Sequence, residues 1–282
     1  MKIPPPFCAL VLLAPAFACS RPAANGLLCS DASGCPAGFQ CYATSAMEKR
    51  CYDRPLPACS PDALRCEDFE GALAGWTIVN YHQSTVQLDT TRAHSGVQSL
   101  HAAVLPHDPA APPPENISQA QVTQTLSIAP DIFMRFFLYQ PAIFPSIVEI
   151  AALLGNEGDY LGASLWLNSG RLSVDAPYNI ADQITPDALS RPGNRLLPEN
   201  RWICLEWQVH VGNPGEMRVW VNDEEQTELY LAADTTLVAP ASGAGTVVTA
   251  GLGFFTDQHV DFSSFDVWLD DIAVSPQRLH CN

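Results

Sequence analysis

Arg201-Trp-Ile-Cys-Leu-Glu-Trp-Gln-Val-His-Val211, followed by Gly212-Asn-Pro-Gly215 and Met217-Arg-Val-Trp-Val-Asn222, decides the class of fold. Ile203, Leu205, Trp207, Val209 and Val211 alternate with Trp202, Cys204, Glu206, Gln208 and His210. A period of two sends the first set to a core and the second to the outer face of a sheet. The Gly-Asn-Pro-Gly stretch turns the chain. Met217, Val219 and Val221 then return on the core side. A hairpin centred near Pro214 places Val211 opposite Met217. In that register His210 faces Arg218, Gln208 faces Trp220 and Glu206 faces Asn222.

The same texture extends outward from this hairpin. Short apolar runs alternate with turn residues from Ala63 onward, and no long stretch shows a 3.6-residue period. Strands are predicted at 86–89, 99–104, 121–126, 132–139, 147–154, 162–167, 171–176, 202–211, 217–221, 247–255 and 265–274. That pattern is all-β: a two-sheet antiparallel sandwich over residues 63–282. Residues 107–115, with Pro109 and Pro112 to Pro114, read as a surface loop. Asn179 to Asn200 reads as a long one. Upstream, Cys29, Cys35, Cys41 and Cys51 crowd residues 29–53 into a small module that crosslinks must hold, because so short a segment encloses little core. Residues 54–62 form a Pro-containing linker.

Composition narrows the function. Hydrophobic residues make up 47% of the 282, enough for a packed core, while the net charge is −16. Nucleic-acid binding rests on Lys and Arg neutralising phosphates, so this balance argues against it, and against anionic lipid surfaces. Lys2, the apolar stretch Phe7 to Phe17 and Ala16-Phe17-Ala18 read as a signal peptide over residues 1–18. Cleavage there leaves Cys19 at the head of a polar tether, 19–28, an arrangement that resembles a bacterial lipoprotein. The expectation is an exported protein at the outer membrane or cell surface, secretion being the alternative, with contact to a membrane only through a lipid on Cys19. The eight cysteines after the leader are an even set, which in an exported chain reads as disulfides. Cys59 and Cys66 flank the linker and are expected to pair. Cys204 and Cys281 then pair by elimination, a Cys66–Cys281 bridge being the alternative.

Two further segments carry a resemblance. Cys66-Glu-Asp-Phe-Glu-Gly-Ala-Leu-Ala-Gly-Trp76 and Val267-Trp-Leu-Asp-Asp-Ile-Ala-Val-Ser275, with Ala93-His-Ser-Gly-Val-Gln-Ser-Leu100 between them, resemble the start and finish of a concanavalin A-like or carbohydrate-binding-module jelly roll. The 201–222 hairpin resembles that of laminin-G-like and glucanase-like relatives. The resemblance implies that first and last strands are neighbours. It also implies a structural calcium held by Glu70, Asp271 or Asp270 and carbonyls around His94 to Gly96, with Ser95 and Asp68 as further ligands. Calcium takes six to eight hard oxygens, which suits this set. The Cys29 to Cys51 segment resembles small extracellular modules, which implies the interleaved pairs Cys29–Cys41 and Cys35–Cys51 out of three pairings.

The resemblance implies carbohydrate as ligand. A sugar offers apolar C–H faces to an aromatic ring and hydroxyls to polar groups. Trp220 is the expected stacking ring. Glu206, Gln208, His210 and Arg218 surround it, and Arg135, Tyr139, Glu149, Ser164 and Trp166 are added by the same alternation. Catalysis has thinner support. The Glu-x-Asp-x-Glu pattern of jelly-roll glucanases is absent, and so is a Gly-x-Ser-x-Gly elbow. Gln208-Val-His210 resembles a triplet of jelly-roll alginate lyases, without that family's companion motifs. The leading expectation is therefore non-catalytic polysaccharide binding. A lyase or glycoside hydrolase of the same fold, using His210, Arg135 or Glu206, is the first rival, and a structural or adhesive envelope protein the second.

Overall fold

In the computed structural model the described residues are 27–29, 34–36, 40–43, 49–52, 63–106, 112, 117–126, 131–154, 162–175, 191–210, 214–233, 246–254 and 264–281. Cys19 lies outside them. The cysteine-rich module contributes β1 (Leu27–Leu28), β2 (Gln40–Ala43) and β3 (Lys49–Tyr52), ordered β1-β3-β2. Disulfides join Cys29 to Cys41 and Cys35 to Cys51.

The jelly roll packs two antiparallel sheets. One holds seven strands: β5 (Thr77–Tyr81), β8 (Ser118–Leu126), β10 (Ile147–Leu154), β11 (Gly162–Asn168), β12 (Arg171–Asp175), β13 (Arg191–Leu196) and β18 (Thr246–Phe254). Their order is β13-β12-β11-β10-β18-β8-β5. The other holds nine: β4 (Arg65–Glu67), β6 (Thr85–Asp89), β7 (Ser99–Val104), β9 (Asp131–Tyr139), β14 (Trp202–His210), β15 (Gly215–Val221), β16 (Glu224–Glu225), β17 (Leu231–Ala233) and β19 (Phe265–Ser275). Their order is β16-β15-β14-β9-β19-β7-β6, with β17 beside β15 and β4 beside β19. First and last strands of the domain are thus neighbours, with Ile272 opposite Glu67.

Alternation builds the core. Ile132, Met134, Phe136 and Leu138 of β9 and Leu205, Trp207 and Val209 of β14 are buried in one cluster with Leu153, Leu165 and Val122 of the opposing sheet. Phe133, Arg135, Phe137 and Tyr139 occupy the other face of β9, as the period of two demands.

Two sequence expectations are corrected. The stretch Asn179 to Asn200 contains a strand, β13, with Pro192 inside it. β13 is the last strand of its sheet, where a missing backbone donor is tolerated. The hairpin register also differs by two residues: Glu206 faces Trp220, Gln208 faces Arg218 and His210 faces Glu216. A two-residue shift keeps every side chain on its expected face, whereas a one-residue shift would reverse them all.

Candidate functional site

The sequence spread its sugar-site residues over what prove to be two different faces. Glu149, Ser164 and Trp166 sit on the seven-stranded sheet. Arg135, Tyr139, Glu206, Gln208, His210, Arg218 and Trp220 sit on the nine-stranded sheet. In a sandwich those outer faces look away from each other, so one ligand does not span them.

The nine-stranded face is occupied at its centre by the chain's own C-terminal tail. A disulfide ties Cys281 to Cys204 on β14. Arg278 lies over the Trp220 ring, 4.4 Å from its centroid, and pairs with Glu206 at 3.0 Å. The Leu279 and His280 amides donate to the same Glu206 carboxylate at 2.6 and 3.2 Å. Arg135 donates to the His280 carbonyl at 3.2 Å. Trp220, Glu206 and Arg135 are consequently buried, at 6%, 0% and 5% exposure. Burial draws the Arg135 guanidinium below its ordinary value, against the charges of Asp271, Glu206 and Asp223. The expected stacking platform is therefore corrected: Trp220 points outward from the sheet, but a guanidinium already lies on it. His210 and Gln208 are drawn aside to Asp131, at 2.9 and 3.0 Å, and Arg218 to Glu216 and Glu225. Of the residues offered for the catalytic rival, Arg135 and Glu206 are cross-strand neighbours, while His210 pairs across to Asp131.

The acids expected to hold calcium grip a single loop, residues 93–98. Asp270 accepts the His94 and Ser95 amides at 2.7 and 3.1 Å. Asp271 accepts the Ser95 hydroxyl and meets the His94 ring, both at 2.7 Å. Glu70 accepts the Val97 and Gln98 amides at 2.6 and 3.0 Å. Asp68 stays local, accepting the Glu70 amide at 3.1 Å. A bulge in β19 between Asp270 and Ala273, with Asp271 at φ 49°, lets two adjacent acids serve this one loop. Burial, and then the charge of Asp271, push the Asp270 carboxyl well above the ordinary range, against the three amides of Ser95, His94 and Asp271. In donor type, carboxylate and hydroxyl oxygens, the set matches what a hard cation takes. Among the described residues, however, the only group of three or more His, Cys, Asp or Glu side chains whose ligand atoms all lie within 4.8 Å of one another is Cys29, Cys35 and Cys51, which disulfides occupy. Cys66 is disulfide-bonded, and the expected partner, Cys59, lies outside the described residues.

The seven-stranded face presents a different arrangement. Gln119 of β8, Gly253 of β18, Glu149 of β10, Trp166 of β11 and Ser173 of β12 stand in one cross-strand row. Gly251 faces Gln121 one step along. β18 therefore has no side chain at either level between β8 and β10. Glycine inside a strand marks such a place of close approach, and at Gly251 (φ 129°) a Cβ would strike the Ala120 carbonyl. Across that gap the Gln121 amide donates to Glu149 at 2.9 Å, and Ser164 donates to the other Glu149 oxygen, also at 2.9 Å. Gln119 in turn donates to Gln121. Burial pushes the Glu149 carboxyl up to about 7, against the hydrogen bonds of Gln121 and Ser164 and with a further push from Asp175. Trp166 is partly exposed beside it. A hydrogen-bonded chain of two amides, a carboxyl and a hydroxyl, flanked by an indole and set along a glycine floor, suits a hydroxyl-rich ligand. The sequence reading found Glu149, Ser164 and Trp166. It missed Gln119, Gln121 and the two glycines, whose signal was the Gly-x-Gly pair inside a predicted strand.

No protein-family model matches the chain, and no curated protein matches it. Among solved structures it is similar to the endo-β-1,4-glucuronan lyase of the fungus Trichoderma reesei, with a TM-score of 0.57 and 15% identity over 76% of this chain and 95% of that one. It is also similar to the cellulose induced protein Cip1, with a TM-score of 0.56 and 20% identity over 77% of this chain and all (100%) of that one. Likeness at these identities shows the fold: a two-sheet jelly-roll sandwich, here with a small disulfide module before it.

Proposed function

We propose that the chain binds a polysaccharide along the outer face of its seven-stranded sheet, over the hydrogen-bonded chain of Gln119, Gln121, Glu149 and Ser164 and beside Trp166. The observation that carries this reading is the buried Glu149 held by Gln121 and Ser164 across a strand that has glycine at both levels. The fold is one that a polysaccharide lyase also uses. The test is a glycan screen with the purified protein, followed by titration of whatever binds. Glu149→Gln and Trp166→Ala are expected to weaken binding at least tenfold while the protein stays folded. Wild-type affinity in both variants removes this face from consideration.

A second reading is favoured by one observation. A carboxyl that titrates near 7 is poised to take and return a proton at neutral pH. In that reading Glu149 abstracts a sugar proton for β-elimination, or protonates a leaving oxygen, while the Gln121 amide bonds the substrate. Product formation that is lost in Glu149→Gln, with binding retained, distinguishes catalysis from binding alone.

We further propose that the protein is exported, since its disulfides belong to oxidising compartments, and that Cys19 carries a lipid anchor. Asp270, Asp271, Glu70 and the Ser95 hydroxyl are proposed to take up a structural calcium ion, which would neutralise the two adjacent buried acids. Mass spectrometry of the mature N-terminus and melting with and without chelator test these statements.

A further inference from the structure

The tail divides the outer face of the nine-stranded sheet, and beyond it lies a second cross-strand row. Trp202 of β14, Tyr139 of β9, Trp268 of β19 and His101 of β7 stand opposite one another in consecutive strands. Four strands at the usual spacing make a row of roughly 14 Å. Tyr139 meets Trp202 and Trp268 edge-on, with centroids 5.6 and 5.9 Å away, and His101 stacks on Trp268 at 4.3 Å. Trp268 is buried, while Trp202, Tyr139 and His101 are partly exposed.

Arg92 lies over this row. Its guanidinium carbon is 4.3 Å from the Trp268 centroid and 4.9 Å from that of Tyr139. The chain carries 30 acidic and 14 basic residues, so its cations are in short supply. Arg65, Arg195, Arg218 and Arg278 are each paired with a carboxylate, whereas no carboxylate among the described residues lies within 4.0 Å of Arg92. The acids nearby in the fold are held by other donors. Asp89 accepts Trp268 Nε1 at 2.9 Å and the Thr91 hydroxyl at 2.9 Å. Asp266 meets His101 at 3.2 Å, and Asp271 meets His94 at 2.7 Å. The loop that carries Arg92 is fixed at several points, by Asp270 and Glu70 as described and by Ser99 Oγ donating to the Arg92 carbonyl at 2.8 Å.

A guanidinium packed over aromatic rings, with no carboxylate among the described residues within 4.0 Å, offers its planar N–H fork, the geometry that matches an oxyanion in two places. The rings beside it supply the apolar surface that a pyranose C–H face covers. We infer that Arg92, Tyr139 and Trp202 form a second glycan site, on the sheet opposite the Glu149 groove, which takes a pyranose bearing an anionic group, carboxylate or sulfate. The Arg92 fork would hold the anion and Trp202 with Tyr139 the ring. This site does not depend on the Glu149 groove being a ligand site.

The test is calorimetric titration of the full chain with a galacturonate oligosaccharide, a sulfated galactan oligosaccharide and neutral cellotetraose. Arg92→Gln is expected to lose at least tenfold in affinity for the carboxylated or the sulfated probe, whichever the wild type binds. Its binding of the neutral probe is expected to stay as in the wild type. Arg92→Lys, which keeps the charge and loses the fork, should fall between. If Arg92→Gln proves unstable, wild-type indole fluorescence should shift on adding the anionic probe, and Trp202→Phe should lack that shift. A wild type that binds neither anionic probe overturns the proposal. So does anionic binding that survives Arg92→Gln and vanishes in Glu149→Gln, an outcome that leaves the groove reading standing.

Discussion

The titration of Glu149 is the most quantitative consequence of the structure. Burial raises this carboxyl from an ordinary 4.5 to about 7. At 1.36 kcal/mol per pH unit the difference corresponds to about 3 kcal/mol. The sign follows from linkage. Below pH 4.5 both folded and unfolded chains hold the proton, and the native state keeps this contribution in full. Between 4.5 and 7 the unfolded chain ionises while the folded one does not, so stability falls as pH rises. Above 7 both are ionised and the contribution is gone. Glu149→Gln carries no proton to lose, and its amide and carbonyl still face Gln121 and Ser164. The stability of wild type relative to Glu149→Gln should therefore drop by about 3 kcal/mol between pH 4 and pH 8. For a domain of this size that is a relative change in melting temperature of roughly 6–12 °C. Urea unfolding of both proteins across that range, read by tryptophan fluorescence, measures it. Two stability profiles that run parallel from pH 4 to 8 would refute the reasoning, because Glu149 would then titrate alike folded and unfolded.

Three other outcomes follow from the same geometry. Cys281→Ser opens the link to Cys204, which spans 77 residues; chain entropy alone predicts a loss of about 4.5 kcal/mol in denaturant unfolding, while glycan binding at the Glu149 groove should be unchanged. Trp220→Ala should cost about 3–5 kcal/mol of stability, as for other buried aromatics, and leave glycan affinity untouched; a loss of affinity in a folded variant would return the hairpin face to the site. If calcium occupies the Asp270–Asp271 clasp, chelation should lower the melting temperature, excess calcium should restore it, and Asp271→Asn should abolish the difference; a melting curve indifferent to chelator removes the ion.

The fold was legible because its signal is local. Alternation along β14 and β9 depends only on which residues are apolar, and a two-residue error in the hairpin register left every face correctly assigned. β13 was not legible, because Pro192 and Gly193 read as a break while the sheet edge tolerates them. The neighbouring first and last strands were reached through resemblance, and the register of Ile272 opposite Glu67 agrees. The candidate site was harder for a physical reason. Period-two patterning tells which side chains leave the core, but not which of the two sheets a strand joins. Glu149 and Trp166 were therefore placed beside Trp220, although β10 and β15 belong to opposite layers.

Outward orientation is also not exposure, and the tail shows why. Ser275 to Cys281 has no periodicity that predicts where it lies, yet Glu206, Trp220 and Arg135 form a patch that meets an arginine, two amides and a carbonyl of that tail. The tail that buries Glu206 also supplies its partners, and burial without them would cost several kcal/mol. The cues that suggested a sugar platform, an indole beside charged groups on a sheet face, are those that an internal arginine recognises equally well. On the seven-stranded face Glu149 is served, among the described residues, by the neutral donors Gln121 and Ser164. A buried acid held, among the described residues, by neutral donors, beside a strand that carries glycine at both levels, is the feature of this molecule that a stability requirement alone does not explain.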